Sequence, residues 1–190
     1  MLLLIDNFDS FSHILADLIR QTGEELLILR NDAMLADLEK IDFQGLILSP
    51  GPGIPSKSGN LNAIFEKYHD KIPVLGVCLG HQAIGEFFGA DLVKNEVPIH
   101  GKVHNVRKTR PHFFTDNLPE KFQVTRYHSL QLKNLPDCLE CVLETESGEI
   151  MAMAHRTLPI LGIQYHPEAY LTEYGLDLIL GWLKAWKSQK

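Results

Sequence analysis

Cysteine is scarce in this 190-residue chain: Cys78, Cys138 and Cys141 are the whole complement, an odd number that cannot all pair within one molecule. That excludes a disulfide-stapled scaffold and makes a reducing cytoplasm the expected setting. Long apolar runs are missing too. None approaches the roughly 18 apolar residues of a membrane-spanning helix. The opening MLLLID meets Asp6 after five residues, with no basic segment before it and no cleavage site after it. It reads as a strand, not a signal peptide. Positive charge is in deficit, with 18 Lys and Arg against 24 Asp and Glu, and the formal net charge of −6 argues against coating nucleic acid. No internal repeat, low-complexity tract or linker interrupts the chain. What remains, 45% hydrophobic and 22% charged, suffices for one sizeable core, so residues 1–190 are expected to form a single domain.

The first half alternates strand and helix signals. Leu2–Ile5 begins a sheet, and Asp9 or Ser10 is a candidate N-cap for a helix with Phe11, Ile14, Leu15, Leu18 and Ile19 on one face. Gly23 ends that helix. A strand over Glu25–Arg30, a short helical stretch near Met34–Lys40 and a strand over Leu46–Ser49 follow. Such alternation predicts a mainly parallel sheet covered by helices on both faces. Ligands of such sheets bind outside the carboxyl ends of the strands, so the loops after Ile5, Ser49 and Val77 are expected to converge. Residues 92 to 165 instead hold short β-rich segments with Pro and Gly turns: Lys102–Arg107, Phe122–Arg126, Glu140–Thr145, Ile150–His155 and Ile160–Gln164. They predict an antiparallel β layer added to the same domain. Near the end, Tyr174, Leu178, Trp182 and Trp186 recur every four residues, with Leu171, Ile179 and Leu183 close by, as expected of a packing helix.

The chemistry concentrates in PVLGVCLGHQAIGEFFG, Pro73 to Gly89. The apolar run Val74–Val77 suits a buried parallel strand, and Leu79 onward reads as a helix with Ile84, Phe87 and Phe88 on one face. Gly76 and Gly80 bracket Cys78 symmetrically. This G-x-C-x-G is the thiol counterpart of the G-x-S-x-G elbow, a sharp strand-to-helix turn that exposes a nucleophile. A thiol there lies at a helix N-terminus, which favours the thiolate. The SPGPG turn, Ser49 to Gly53, is expected at the same sheet edge, where its N–H groups suit an oxyanion or substrate role. Ile160–Tyr165 delivers His166-Pro167-Glu168, and residues two apart at a strand end project together. Cys78, His166 and Glu168 therefore supply nucleophile, base and orienting group.

These motifs resemble the class I (triad) glutamine amidotransferases. Within them the chain is similar to the glutaminase subunit of anthranilate synthase and aminodeoxychorismate (para-aminobenzoate) synthase. The resemblance covers nearly the whole length: LLIDNFDSF, SPGPG, GVCLGHQAIGEFFG, HGK at His100–Lys102, RYHSL at Arg126–Leu130, GEIMAMAH at Gly148–His155 and GIQYHPE at Gly162–Glu168. It implies a flavodoxin-like α/β fold and hydrolysis of L-glutamine to glutamate and ammonia. By resemblance, Cys78 attacks the amide carbon, His166 passes a proton to the leaving ammonia and Glu168 orients His166. Gly51 and Leu79 would donate their N–H groups to the oxyanion. Gly51, Pro52, Gly53, Gln82 and the backbone at Ser129 and Leu130 would hold the substrate. No cofactor or metal is implied in this chain. The ammonia is expected to pass to a separate chorismate-binding synthase subunit, which in the family uses Mg2+.

Two stretches depart from the family pattern. Ala169 and Tyr170 follow HPE where a Ser and an aliphatic residue are usual, and Lys108–Asn117 lacks the expected glycines. Cys138-Leu-Glu-Cys141 is a C-x-x-C, but it has no second pair for a zinc site and no helix start on its first cysteine. His100 and His104 straddle Gly101 in a strand-like run, so they are not expected to form a helical metal pair. Two other functions stand beside the first. One is a non-catalytic subunit that activates a synthase using free ammonia; the other is a stand-alone hydrolase of γ-glutamyl amides.

Overall fold

The structure, a computed structural model, describes residues 1–187, the side chains of residues 185 and 186 excepted. Short apolar strands form its spine. Leu2–Asp6 (β1), Leu46–Leu48 (β3) and Val74–Val77 (β4) are buried at every position, as in parallel sheets covered on both faces. β1 lies parallel between Leu26–Arg30 (β2) and β3, β3 pairs with β4, and β4 pairs with Ile160–Ile163 (β11). Beyond β11 the strands turn antiparallel: Ile150–His155 (β10), Leu139–Thr145 (β9), Lys102–Lys108 (β6) and Lys121–Arg126 (β7). The result is one sheet in the order β2-β1-β3-β4-β11-β10-β9-β6-β7. Asp91–Lys94 (β5) and Leu130–Lys133 (β8) form a separate antiparallel ribbon. The expected α/β architecture with added antiparallel strands is what forms. All five segments expected in a separate antiparallel layer join the main sheet instead, and one of them, β11, runs parallel to β4 and pairs antiparallel only through its far edge, with β10; the β5–β8 ribbon alone stands apart.

Period-two alternation along β1 feeds two cores. Leu2 and Leu4 face Phe11–Arg20 (α1) and Gly175–Lys187 (α5), in a cluster with Leu15, Ile19, Leu178 and Trp182. Leu3 and Ile5 pack on the other side with Leu61, Ile64 and Phe65 of Leu61–Tyr68 (α3) and Ile84 of Leu79–Phe88 (α4). A short Leu35–Leu38 helix (α2) buries Leu38 against the same cluster, and a single 3-10 turn, Pro55–Lys57, leads toward α3.

Several local expectations need correction. The buried stripe of α1 is Ser12, Leu15, Ala16 and Ile19, while Ile14 is 49% exposed. Its first N–H groups are met by Asp9, whose Oδ1 accepts from Phe11 N at 2.7 Å; Ser10 occupies the cap position without a side-chain bond. Phe87 is likewise 41% exposed, because α4 buries Leu79 to Gly85 all round and reaches the surface only in its last turn. In the final helix Leu178, Ile179, Trp182 and Leu183 are buried, but Leu171 and Tyr174 precede the helix and face solvent. The side chain of Trp186 lies outside the described residues. α3, β5 and β8 are not foreseen from the sequence.

Candidate active site

β4 runs directly into Cys78, whose N–H donates to Ile163 O on β11 at 2.7 Å. Cys78 has φ 50° and ψ −98°, a conformation few L-residues adopt, and α4 starts at the next residue. So tight a turn needs glycine on both sides. A Cβ on Gly76 would lie 2.6 Å from the Gly80 carbonyl carbon, and one on Gly80 would lie 2.6 Å from Leu48 Cβ. The thiol is 7% exposed and sits at the N-terminus of α4.

The neighbouring strand supplies the partners. His166 Nδ1 meets Glu168 Oε1 at 2.6 Å, with both residues buried. The carboxylate thus fixes the proton on Nδ1. Nε2 has no well-formed hydrogen bond, and the group that acts on that side of the ring is the Cys78 side chain. Burial works against charge on the imidazole, but hydrogen bonding and negative charge from Cys78 and Glu168 outweigh it and raise the pKa of His166 to about 10. The ring is one corner of a three-ring cluster, 4.8 Å from Phe11 and 5.1 Å from Tyr127, which are 4.9 Å from each other, centroid to centroid. This gives the DNFDSF and RYHSL motifs a shared physical task. Thr172 secures the loop beyond Glu168: its hydroxyl donates to His166 O at 2.7 Å and accepts from Thr125 N at 2.9 Å.

The loops after β1, β2 and β3 are tied to one another. Asn7 N donates to Ser49 Oγ and Asn7 Nδ2 to Ser49 O, both at 2.9 Å. Ser12 Oγ donates to Ser49 Oγ at 3.0 Å, and Asn31 Nδ2 donates to Asn7 Oδ1 at 3.0 Å. These bonds press SPGPG against the elbow. A Cβ on Gly51 would collide with the Leu79 side chain and lie 2.6 Å from Asn7 Cβ, so only glycine permits the approach. Leu79 is the first helical residue and its N–H has no intrahelical acceptor. Pro52 and Gly53 are exposed at the rim, Gly53 with φ 79°.

Gln82 sits one turn into α4. Its Nε2 donates to Gln164 Oε1 at 3.2 Å and to Leu130 O at 3.5 Å, and Gln164 Nε2 approaches Cys78 Sγ at 3.7 Å. Ser129 is exposed next to that carbonyl. The structure thus brings Cys78, His166, Glu168, Leu79, Gly51, Gln82 and Leu130 to one edge of the sheet, with Pro52, Gly53 and Ser129 at the margin. Sequence reasoning finds Gln164 within GIQYHPE but gives it no role. Its place beside Cys78 follows from strand register, since Ile163 pairs with Val77. Neighbouring His81 is fully buried, which pushes its pKa down to about 3 and leaves a neutral ring packed against Gly162.

Cys138 and Cys141 are free, and burial with Glu144 nearby pushes the Cys141 thiol up to about 11. Among the described residues no cluster of three or more His, Cys, Asp or Glu could hold a metal ion, and no helix is long and apolar enough to cross a membrane.

Comparison with known proteins identifies the family. The family described as Glutamine amidotransferase class-I matches residues 3–185. Component 2 of the aminodeoxychorismate/anthranilate synthase of Bacillus subtilis is 38% identical over 100% of this chain and 98% of its own. Component 2 of the anthranilate synthase of Azospirillum brasilense is 44% identical over 96% and 95%, and component 2 of the aminodeoxychorismate synthase of Serratia marcescens is 43% identical over 94% and 97%. Among solved structures, a Thermoplasma acidophilum protein described as a GMP synthase component superposes with a TM-score of 0.88 at 26% identity, covering 99% of this chain and 94% of that one. The chain belongs to the class I glutamine amidotransferases.

Proposed function

We propose that this chain, acting as one unit over residues 1–190, is the glutaminase component of an anthranilate or aminodeoxychorismate synthase. In this reading it hydrolyses L-glutamine and hands ammonia to a separate chorismate-binding subunit in the cytoplasm. The observation that carries the proposal is Cys78 on a strained elbow facing a buried imidazole that Glu168 orients at 2.6 Å. The names of the full-length relatives support the assignment to a two-component synthase.

The chemistry follows from the positions. Gln82, with the backbone at Ser129 and Leu130, holds the amino-acid end of glutamine, and Gly51, Pro52 and Gly53 line the side-chain path. Cys78 Sγ attacks the amide carbon, and the N–H groups of Gly51 and Leu79 take up the charge developing on oxygen. His166, already protonated at neutral pH, gives its proton to the departing nitrogen, leaving a thioester on Cys78. Water then attacks the thioester with His166 as base, and glutamate leaves. Glu168 keeps the imidazole in one tautomer throughout. The chain's own residues suffice for these steps, and Mg2+ belongs to the partner's chemistry.

Cys78→Ser in the assembled synthase tests the assignment. Glutamine-dependent product formation should disappear while ammonia-dependent formation survives. A parent complex that forms product from ammonia but not from glutamine would favour the non-catalytic reading, and glutaminase activity indifferent to any synthase subunit would favour the stand-alone hydrolase.

A further inference from the structure

Between the β5–β8 ribbon and the antiparallel end of the main sheet lies a cavity of about 720 Å³ that includes none of Cys78, Gln82, His166 or Glu168 in its lining. Its wall carries Lys94, Lys102, Lys133 and Arg126 against Glu96 and Glu149, a local excess of positive charge in a chain whose net charge is −6. Arg126 is 1% exposed. Its Nη1 pairs with Glu149 at 2.8 Å and its Nε donates to His128 Nε2 at 3.0 Å, yet its buried Nη2 has no partner among the described residues. On the same wall the buried Oδ1 of Asn95 accepts from none of the described residues, although its Nδ2 donates to His128 O at 3.1 Å. A buried guanidinium nitrogen without an acceptor and a buried amide oxygen without a donor each carry a desolvation cost that an occupant would remove. The first calls for an oxygen acceptor, which the lysines on the same wall favour as an anionic one, and the second for a hydroxyl or amine.

We infer that this cavity is a second ligand site, one that takes a small hydroxycarboxylate, with a carboxylate on Arg126 Nη2 and the lysines and a hydroxyl on Asn95 Oδ1. The site also communicates with the first. His128, placed between the two, is a neutral imidazole whose Nε2 accepts from Arg126 and whose Nδ1–H donates to Leu130 O at 2.7 Å. That same carbonyl accepts from Gln82. An anion that draws on Arg126 therefore acts, through His128 and Leu130, on the end of the glutaminase site that holds the amino-acid portion of glutamine. Occupancy should change the KM for glutamine and leave kcat alone. This coupling rests on the glutaminase reading above; the binding itself does not.

Citrate is the probe, with tricarballylate (the same three carboxylates without the hydroxyl) and inorganic phosphate as comparisons. In an amide NMR titration of the whole chain, citrate should shift residues 94–104, 126–134 and 147–150 saturably. Tricarballylate should bind about tenfold more weakly, the loss expected for one buried hydrogen bond. Lys102→Ala combined with Lys133→Ala, two exposed substitutions that spare the fold, should weaken citrate by about tenfold or more. No saturable shift in these segments, or phosphate binding as tightly as citrate, overturns the site. Shifts produced only by a synthase partner overturn it as well, since the cavity would then be an interface. The second arm measures glutaminase kinetics in the assembled synthase, first without citrate and then with saturating citrate. A KM change of about twofold or more that disappears in the lysine variant supports the coupling, and an unchanged KM with citrate bound overturns it. Absence of glutaminase activity in every condition would refute the function proposed above while leaving the NMR result to decide the site.

Discussion

Replacing Cys78 by glycine should stabilise this protein relative to replacing it by alanine. Cys78 holds φ 50° and ψ −98°, outside the regions that residues with a Cβ readily occupy. Such a residue costs about 1–3 kcal/mol and persists because its surroundings over-determine it. Here the determinants are the Ile163 O bond to Cys78 N, the Gly76–Gly80 contact and the start of α4. Glycine reaches the same point freely, since for it the conformation is the mirror image of an ordinary extended one. Cys78→Ala is the proper reference, because it loses the same sulfur contacts to Gln164 and His166 but keeps the Cβ. Subtracting the greater backbone entropy of glycine, about 0.5–1 kcal/mol, leaves a net gain of about 1 kcal/mol. For a chain of this size that is about 2–4 °C in Tm. Paired thermal melts at pH 7 measure it directly, and both variants should be inactive. If Cys78→Gly melts at or below Cys78→Ala, the elbow stores no strain and the reasoning fails.

Three further outcomes follow from the site. The folded pKa of His166, about 10, lies above the unfolded value of about 6.5, so its stabilising contribution is complete below about pH 6.5 and lost as pH rises to about 10; unfolding free energy should fall across that window in the parent chain and fall less in His166→Asn, and parallel pH curves would refute the assignment. Gly51→Ala places a Cβ against Leu79 and 2.6 Å from Asn7 Cβ, pushing SPGPG off the elbow, and should lower glutaminase kcat about a hundredfold while KM moves far less; an unaltered kcat would remove Gly51 from the oxyanion role. Cys138→Ala and Cys141→Ala should be kinetically silent, since Cys141 is held protonated and neither cysteine approaches the site; a tenfold loss of activity with the fold intact would contradict this.

The strands of the parallel half are legible in the sequence because burial on both faces leaves nearly unbroken apolar runs such as LLLI and LIL, and the elbow because its glycines mark it. α3 is harder. It is eight residues long, follows the polar SKSGN, and takes its stability from packing Leu61, Ile64 and Phe65 beneath the sheet, a tertiary effect no local pattern reports. β5 and β8 are four-residue strands that pair only with each other, across 35 or more intervening residues, so neither carries a local signal of its partner. Within the site, residues bearing obvious chemistry (Cys78, His166, Glu168, Gln82) are readable. Those that act by contact are not: Gln164, Phe11, Tyr127 and Thr172 look like ordinary strand, helix or loop residues until the fold places them around His166 and Cys78.

The alignment of Cys78 with His166 and Glu168 is a consequence of register. β4 and β11 are parallel neighbours in which Val74 pairs with Ile160 and Val77 with Ile163, so the last strand residues lie side by side and both chains leave the sheet at the same level. Cys78 then bends into α4 while the chain after β11 continues to His166, which places the base above the thiol without any long loop. A slip of one residue would turn Gln164 away from Sγ and carry His166 to the opposite face, since strand side chains alternate. What prevents the slip is apolar: Leu75, Val77, Leu161 and Ile163 fill one cluster, whereas Val74 and Ile160 fill the other, and a shifted β11 would exchange its two sets. The arrangement of Cys78 and His166 is therefore held by the same hydrophobic alternation that builds the sheet, and core substitutions in β11 should disturb the site before they unfold the chain.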